Sequence, residues 1–126
     1  MNKDNQKILI VQLSDPEKEP EKCIAGLIFA RTLCIMENEV FIFSMARSPL
    51  LYTKDLYKNK NIERRFRELI KENLEDILNA AAGIYICSKS KELLQLEDEM
   101  LVRPFQIAGM IVLYSLSTSA DQTYYF

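Results

Sequence analysis

Apolar residues fall along the chain in two textures, short unbroken runs and longer stretches with helical spacing. Lys7-Ile8-Leu9-Ile10-Val11-Gln12-Leu13, Val40-Phe41-Ile42-Phe43 and Ile84-Tyr85-Ile86-Cys87 are of the first kind. Each is too short for a helix and too continuously apolar for a half-exposed strand, so each reads as a strand buried on both faces of a parallel sheet. Ile8, Ile10, Val40, Ile42, Ile84 and Ile86 are predicted to form the centre of that sheet. Phe105-Gln106-Ile107 and Gln122-to-Phe126 read as two further strands.

The stretches between them are helical. Cys23 to Met36 is apolar almost all round, with Arg31 and Thr32 its only polar side chains, so it is predicted to be deeply buried or to face another subunit. Asn61 to Asn79 is amphipathic: Ile62, Phe66, Leu69, Ile70, Leu74, Ile77 and Leu78 recur at helical spacing, and Arg64–Glu68 and Lys71–Glu75 are predicted as favourable i,i+4 pairs on the outside. Gly83 after it suits a left-handed cap. Ser88-Lys89-Ser90-Lys91 opens a short helix running through Leu96, and Met110 to about Ser119 is another. Ser48 to Tyr57 has no clear period and reads as a loop, with Leu50, Leu51 and Tyr52 as surface apolar residues. The order β-α-β-α-β-α-β-α-β predicts a single α/β domain over residues 1–126, a three-layer helix–sheet–helix sandwich with a mainly parallel five-stranded sheet.

Composition narrows the function. The 126 residues carry a formal net charge of −2, so no general attraction to nucleic acid or anionic lipid is expected. No apolar run is long enough to span a membrane, and Met1 to Gln6 is polar and lacks a signal-type core, which predicts a cytoplasmic protein. The three cysteines, Cys23, Cys34 and Cys87, are odd in number and widely spaced, which fits a reducing compartment rather than a disulfide framework. Without histidine or a CxxC pair a zinc site is not expected, and every Ser-His and Cys-His nucleophile arrangement is excluded. Neither phosphate-binding glycine motif occurs.

Candidate chemistry converges on Cys87. Ligands of open parallel sheets collect beyond the carboxyl ends of strands, and Cys87 ends one directly before a helix. The first amides of that helix, with Lys89 and Lys91, would favour a thiolate, the form in which sulfur acts as a nucleophile. Ser88 follows Cys87, and Gly109 permits a tight strand-to-helix turn with free amides beyond it that suit an anion. Ser14 and Asp15 end the first strand and would shape the same pocket or cap the next helix. Cys23 and Cys34 lie eleven positions apart in an apolar helix and read as core packing.

Three passages together resemble the DsrE-like sulfur-relay family. They are the Lys7-to-Leu13 strand followed by Ser14-Asp15-Pro16 and an apolar helix, the Gly83-to-Cys87 strand ending in cysteine, and Ile107-Ala108-Gly109-Met110 with Ala120-Asp121 and a terminal aromatic strand. The resemblance implies that Cys87 accepts sulfane sulfur as a persulfide from a donor protein and passes it to an acceptor protein, with no metal or cofactor. It also implies a homo-oligomer, a trimer or hexamer, and it admits a second reading as a non-catalytic interaction subunit. Two departures fall beyond Cys87. Many relatives carry an Arg-Gly pair where this chain has Leu93-Leu94-Gln95-Leu96, and the segment from Cys87 to Ile107 is short.

Overall fold

The structure, a computed structural model, describes residues 5–126. Met1 to Asp4, most of the polar stretch before the first strand, lie outside the described residues. The elements are β1 (Lys7–Gln12), α1 (Pro20–Ile35), β2 (Glu39–Ser44), α2 (Arg64–Ala80), β3 (Gly83–Cys87), α3 (Ser88–Leu93), β4 (Gln106–Ala108), α4 (Met110–Ser119) and β5 (Gln122–Tyr125). The strands form one sheet in the order β4-β3-β2-β1-β5, every neighbouring pair parallel. The expected parallel α/β architecture is therefore the observed one.

The order of the strands decides where the helices go. From β1 to β4 each new strand is added on the same side of the last, and right-handed crossovers then put the connections on one face. The connection from β4 to β5 runs back across the sheet, so α4 belongs to the opposite face. Side-chain alternation follows this division. Ile8, Ile10, Val40, Ile42, Ile84 and Ile86 all point into the larger core, with Leu27 and Ala30 of α1 and Ile70, Leu74 and Ile77 of α2. Leu9, Val11, Phe43, Cys87 and Ala108 face the other way into a smaller cluster closed by Val112, Leu113 and Leu116 of α4.

Local chemistry sets the element ends. Pro20 occupies the first turn of α1, where its missing N–H costs nothing. Glu37 in the left-handed region (φ 67°) ends that helix, with its N–H on the Cys34 carbonyl at 2.9 Å. Helices α1 and α2 are joined by Arg31 and Asp76 at 2.7 Å, and Arg64 pairs with Glu68 at 3.1 Å as the spacing predicts, whereas the expected pair of Lys71 with Glu75 is not within ion-pair distance.

Two expectations are corrected. Gly83 is not a left-handed cap: no described glycine has a positive φ, and Gly83 opens β3. Its lack of a side chain serves close packing, because a Cβ there would lie 3.0 Å from the Tyr85 ring and 3.2 Å from that of Phe41. The segment Ser48–Tyr52 is a buried 3-10 turn rather than a surface loop. Leu51 and Tyr52 lie in the larger core, and the Tyr52 hydroxyl donates to Oε1 of buried Gln12 at 2.8 Å. A short 3-10 turn has no long apolar period, so the sequence pattern does not reveal its burial.

Gly26 in α1 carries a further constraint. A Cβ there would lie 2.8 Å and 2.9 Å from Cγ and Cβ of Phe126, whose ring also packs beside Phe29. Gly26→Ala is therefore expected to destabilise the fold by about 1–3 kcal/mol through overpacking, despite alanine's better helix propensity. Urea denaturation of the variant checks this; a gain in stability would show that Phe126 moves aside freely.

Candidate functional site

The carboxyl ends of β1, β2 and β3 meet at one edge of the sheet, and the expected site residues divide between its two sides. Cys87 is the last residue of β3 and the cap residue of α3. Its side chain points to the α4 side and is only 2% exposed, in the cluster of Leu9, Val11, Phe43 and Ala108. Among the described residues nothing hydrogen-bonds to its thiol. Ala108 pairs with Cys87 across β3 and β4, which brings Gly109 alongside. The nearest atom to a Cβ built on Gly109 is Ser88 Oγ, 4.0 Å away. Cys87, Ser88 and Gly109 are thus gathered in one place. The amides of Met110 and Ile111 at the start of α4 precede the first bonds of that helix, in which Val112 N–H and Leu113 N–H donate to the Gly109 carbonyl.

The two lysines are committed elsewhere. Lys89 is exposed and pairs with Glu92 at 2.9 Å, which raises its pKa, first through the hydrogen bond and then through the carboxylate's charge. Lys91 pairs with Asp98 at 3.0 Å. Helix α3 is six residues long, so its dipole is small.

Ser14 and Asp15 sit beyond β1, two strands away from β3, about 10 Å at the usual strand spacing. Ser14 is buried and its carbonyl accepts the Cys23 thiol at 3.5 Å. Asp15 organises a turn, accepting the Glu17 N–H at 2.9 Å, and binds Arg47 Nε at 2.8 Å. The link between the two groups is the turn after β2, which the sequence pattern does not mark. Met45 packs against the cluster containing Cys87, its N–H donating to the Gln12 carbonyl at 3.0 Å. Ala46 takes a left-handed φ of 58°, costly for a residue with a Cβ, and its N–H donates to Oγ of buried Ser90 at 2.9 Å. Arg47 then reaches back to Asp15. One strained turn ties the ends of β1, β2 and β3 together. Positive φ at an alanine leaves no sequence signal, which is why it escapes the pattern.

The other cysteines differ from each other. Burial pushes the Cys23 thiol up to about 12, with Asp15 and Glu19 adding to the effect and Lys22 opposing it. Cys34 is only half-buried, lines a shallow groove with Arg31, Ile35, Asp76 and Ala80, and is raised by burial alone. A thiol with a raised folded pKa stays protonated while its unfolded counterpart ionises. Its contribution is complete below pH 9 and is lost as pH rises from about 9 toward 12. Cys23→Ala is therefore expected to be destabilised at neutral pH by about 1 kcal/mol, yet to lose less stability than the native chain across that alkaline window. Urea midpoints measured at several pH values check this; parallel pH profiles for the two proteins would refute it.

Among the described residues, no three or more Cys, Asp and Glu side chains are gathered to hold a metal ion. No described helix is long and apolar enough to cross a membrane. No curated protein matches the chain significantly in sequence. Solved structures resemble it in fold. The YchN protein of E. coli superimposes with a TM-score of 0.81 at 20% identity, covering 96% of this chain and 99% of its own. A protein of unknown function from Methanobacterium thermoautotrophicum, MTH1491, does so with a TM-score of 0.66 at 10% identity, covering 98% and 100%. A family model, the DsrE/DsrF-like family, matches residues 6–126. The chain belongs to the DsrE/DsrF-like family.

Proposed function

We propose that this protein is a sulfur carrier in which Cys87 receives sulfane sulfur and hands it on. Membership of the family points to a role related to sulfur relay. The observation that carries the finer reading is the position of Cys87, at the carboxyl end of a strand with Ser88, Gly109 and the start of α4 beside it. In the reaction, the Cys87 thiolate attacks the outer sulfur of a donor protein's persulfide. The new S–S bond forms at Cys87, the old one breaks, and the electron pair leaves on the donor's thiolate. An acceptor thiolate then attacks the outer sulfur of the Cys87 persulfide and releases Cys87 in the same way. No net redox change occurs, so the exchange requires neither metal nor cofactor. The Ser88 hydroxyl and the first amides of α4, gathered at the same strand end, would serve as donors to an anionic persulfide.

Burial of Cys87 imposes a condition. The Cys87 sulfur must meet the donor's outer sulfur in line with the donor's S–S bond, so the residues packed against its cluster, Met45 and those of α4 among them, have to open locally before transfer. The same burial, with no polar partner on the thiol, favours the second reading: an interaction subunit that keeps the fold and leaves chemistry to a partner. The two readings part when the chain is loaded with inorganic polysulfide, freed of excess reagent and offered an acceptor thiol. A carrier passes on one sulfur per Cys87; an interaction subunit passes on none.

The proposal includes self-association. Helix α4 carries no charge from Gly109 to Ala120, and Ile111 and Tyr114 on its outer side are 85% and 70% exposed. Tyr125, at the end of β5, is exposed as well. So much exposed apolar surface marks a contact face. Exposed Ile28, Ile35 and Met36 of the α1 region add a second apolar area, whereas Leu51 and Tyr52 belong to the core and contribute none. A trimer or a multiple of it is the family's expectation. The reducing cytoplasm is the compartment that suits three free cysteines.

A further inference from the structure

On the α1–α2 side of the sheet, facing away from Cys87, lies a groove that sulfur transfer does not use. It has a volume of about 160 Å³, and its wall includes Leu51, Leu56, Leu74, Leu78 and Val102, all part of or packed against the larger core. Lys54, Arg67 and Lys71 also line it, against a single carboxylate, Glu75. Among the described residues none of these three cations lies within ion-pair distance of a carboxylate. Arg67 is the least solvated of them in one respect: its Nη1 donates to the Tyr57 carbonyl, and its Nε is buried without an acceptor.

We propose that this groove binds a small apolar monocarboxylate, its phenyl or short branched hydrocarbon on the leucines and Val102 and its carboxylate on Arg67. The size is that of cavities known to take a benzene-sized group. A neutral apolar ligand would cover Arg67 and leave its charge desolvated and uncompensated, which is costly. A carboxylate neutralises it, and the guanidinium fork not held by Tyr57 matches the planar anion. A phosphate has no apolar body to cover Leu51, Leu56, Leu74, Leu78 and Val102, and Glu75 repels a dianion more strongly than a monoanion, so the groove suits the apolar monocarboxylate better. The wall is built by the buried 3-10 turn Ser48–Tyr52, α2 and the segment before β4, so occupancy would tie these three parts together.

Methyl NMR of the full chain titrated with phenylacetate, phenylacetamide and an acetylated Phe-Glu peptide tests this. Phenylacetate is expected to shift Leu51, Leu74, Leu78 and Val102 signals with a dissociation constant on the order of 0.1–1 mM for about ten non-hydrogen atoms. The amide is expected to bind at least tenfold more weakly, and Arg67→Gln to remove that difference. Because Arg67→Gln also loses the Tyr57 contact, exposed Lys71→Gln serves as the milder variant and should weaken the acid severalfold but not the amide. Equal binding of acid and amide, no shifts at these residues, or a peptide that binds far more tightly than phenylacetate would each overturn the proposal, the last by making a partner's acidic segment the occupant.

Discussion

Replacing Cys87 with serine is expected to abolish loading with sulfane sulfur, while Cys23→Ala and Cys34→Ala chains load as the native chain does. The reason is placement: Cys23 is buried within α1 and held protonated, and Cys34 has neither a strand end nor free amides beside it. A simple alkylating reagent should give the opposite order, modifying half-buried Cys34 before the other two, because such reagents report access rather than site chemistry. The expected cost of the variant also follows from burial. The sequence suggests a rim position for Cys87, where serine would be harmless. Its actual surroundings are apolar, so a hydroxyl held in the thiol's orientation has no partner and should cost about 1–3 kcal/mol. Cys87→Ala, which buries no polar group, is the control that separates lost chemistry from lost stability. Unchanged loading in both Cys87 variants would move the chemistry elsewhere.

A charge placed on the outer side of α4 is expected to dissociate the proposed oligomer. Ile111→Glu and Tyr114→Glu each bury an unpaired carboxylate in an otherwise uncharged face if the subunits stay together. A loss of about 2–4 kcal/mol, roughly 30- to 1,000-fold in dissociation constant, is the usual scale for central interface residues. The isolated subunit should keep its stability within about 0.5 kcal/mol, since both side chains are exposed in it. Light scattering at micromolar concentration reads the outcome. A native chain that is already monomeric would remove the self-association proposal, and an unchanged oligomer in both variants would move the contact to another face, with the exposed Ile28, Ile35 and Met36 area next in line.

The strands were legible because a parallel sheet covered by helices demands unbroken apolar runs, and Ile8 to Val11, Val40 to Phe43 and Ile84 to Cys87 supply them. The amphipathic period of α2 was equally plain. Strand order is not a local property, so nothing in the α4 segment announced that it would lie alone on its face and leave Ile111 and Tyr114 uncovered. The turn from Met45 to Tyr52 was opaque for a related reason: its burial depends on Gln12 and Ser90, 40 and 44 residues from their partners Tyr52 and Ala46. At the site, the strand-end position of Cys87 and the neighbouring Ser88 and Gly109 followed from element order. The pairing of Lys89 with Glu92 and of Lys91 with Asp98 did not, because a short helix followed by an acidic segment offers several equivalent partners.

The central claim is that sulfur is carried on Cys87, and the most direct measurement is peptide mass spectrometry of the native chain after exposure to inorganic polysulfide, with free thiols blocked under mild conditions. The account predicts one added sulfur, located on the peptide containing Cys87 and lost when an acceptor thiol is supplied. Added sulfur on Cys23 or Cys34, or on no cysteine at all, would contradict it.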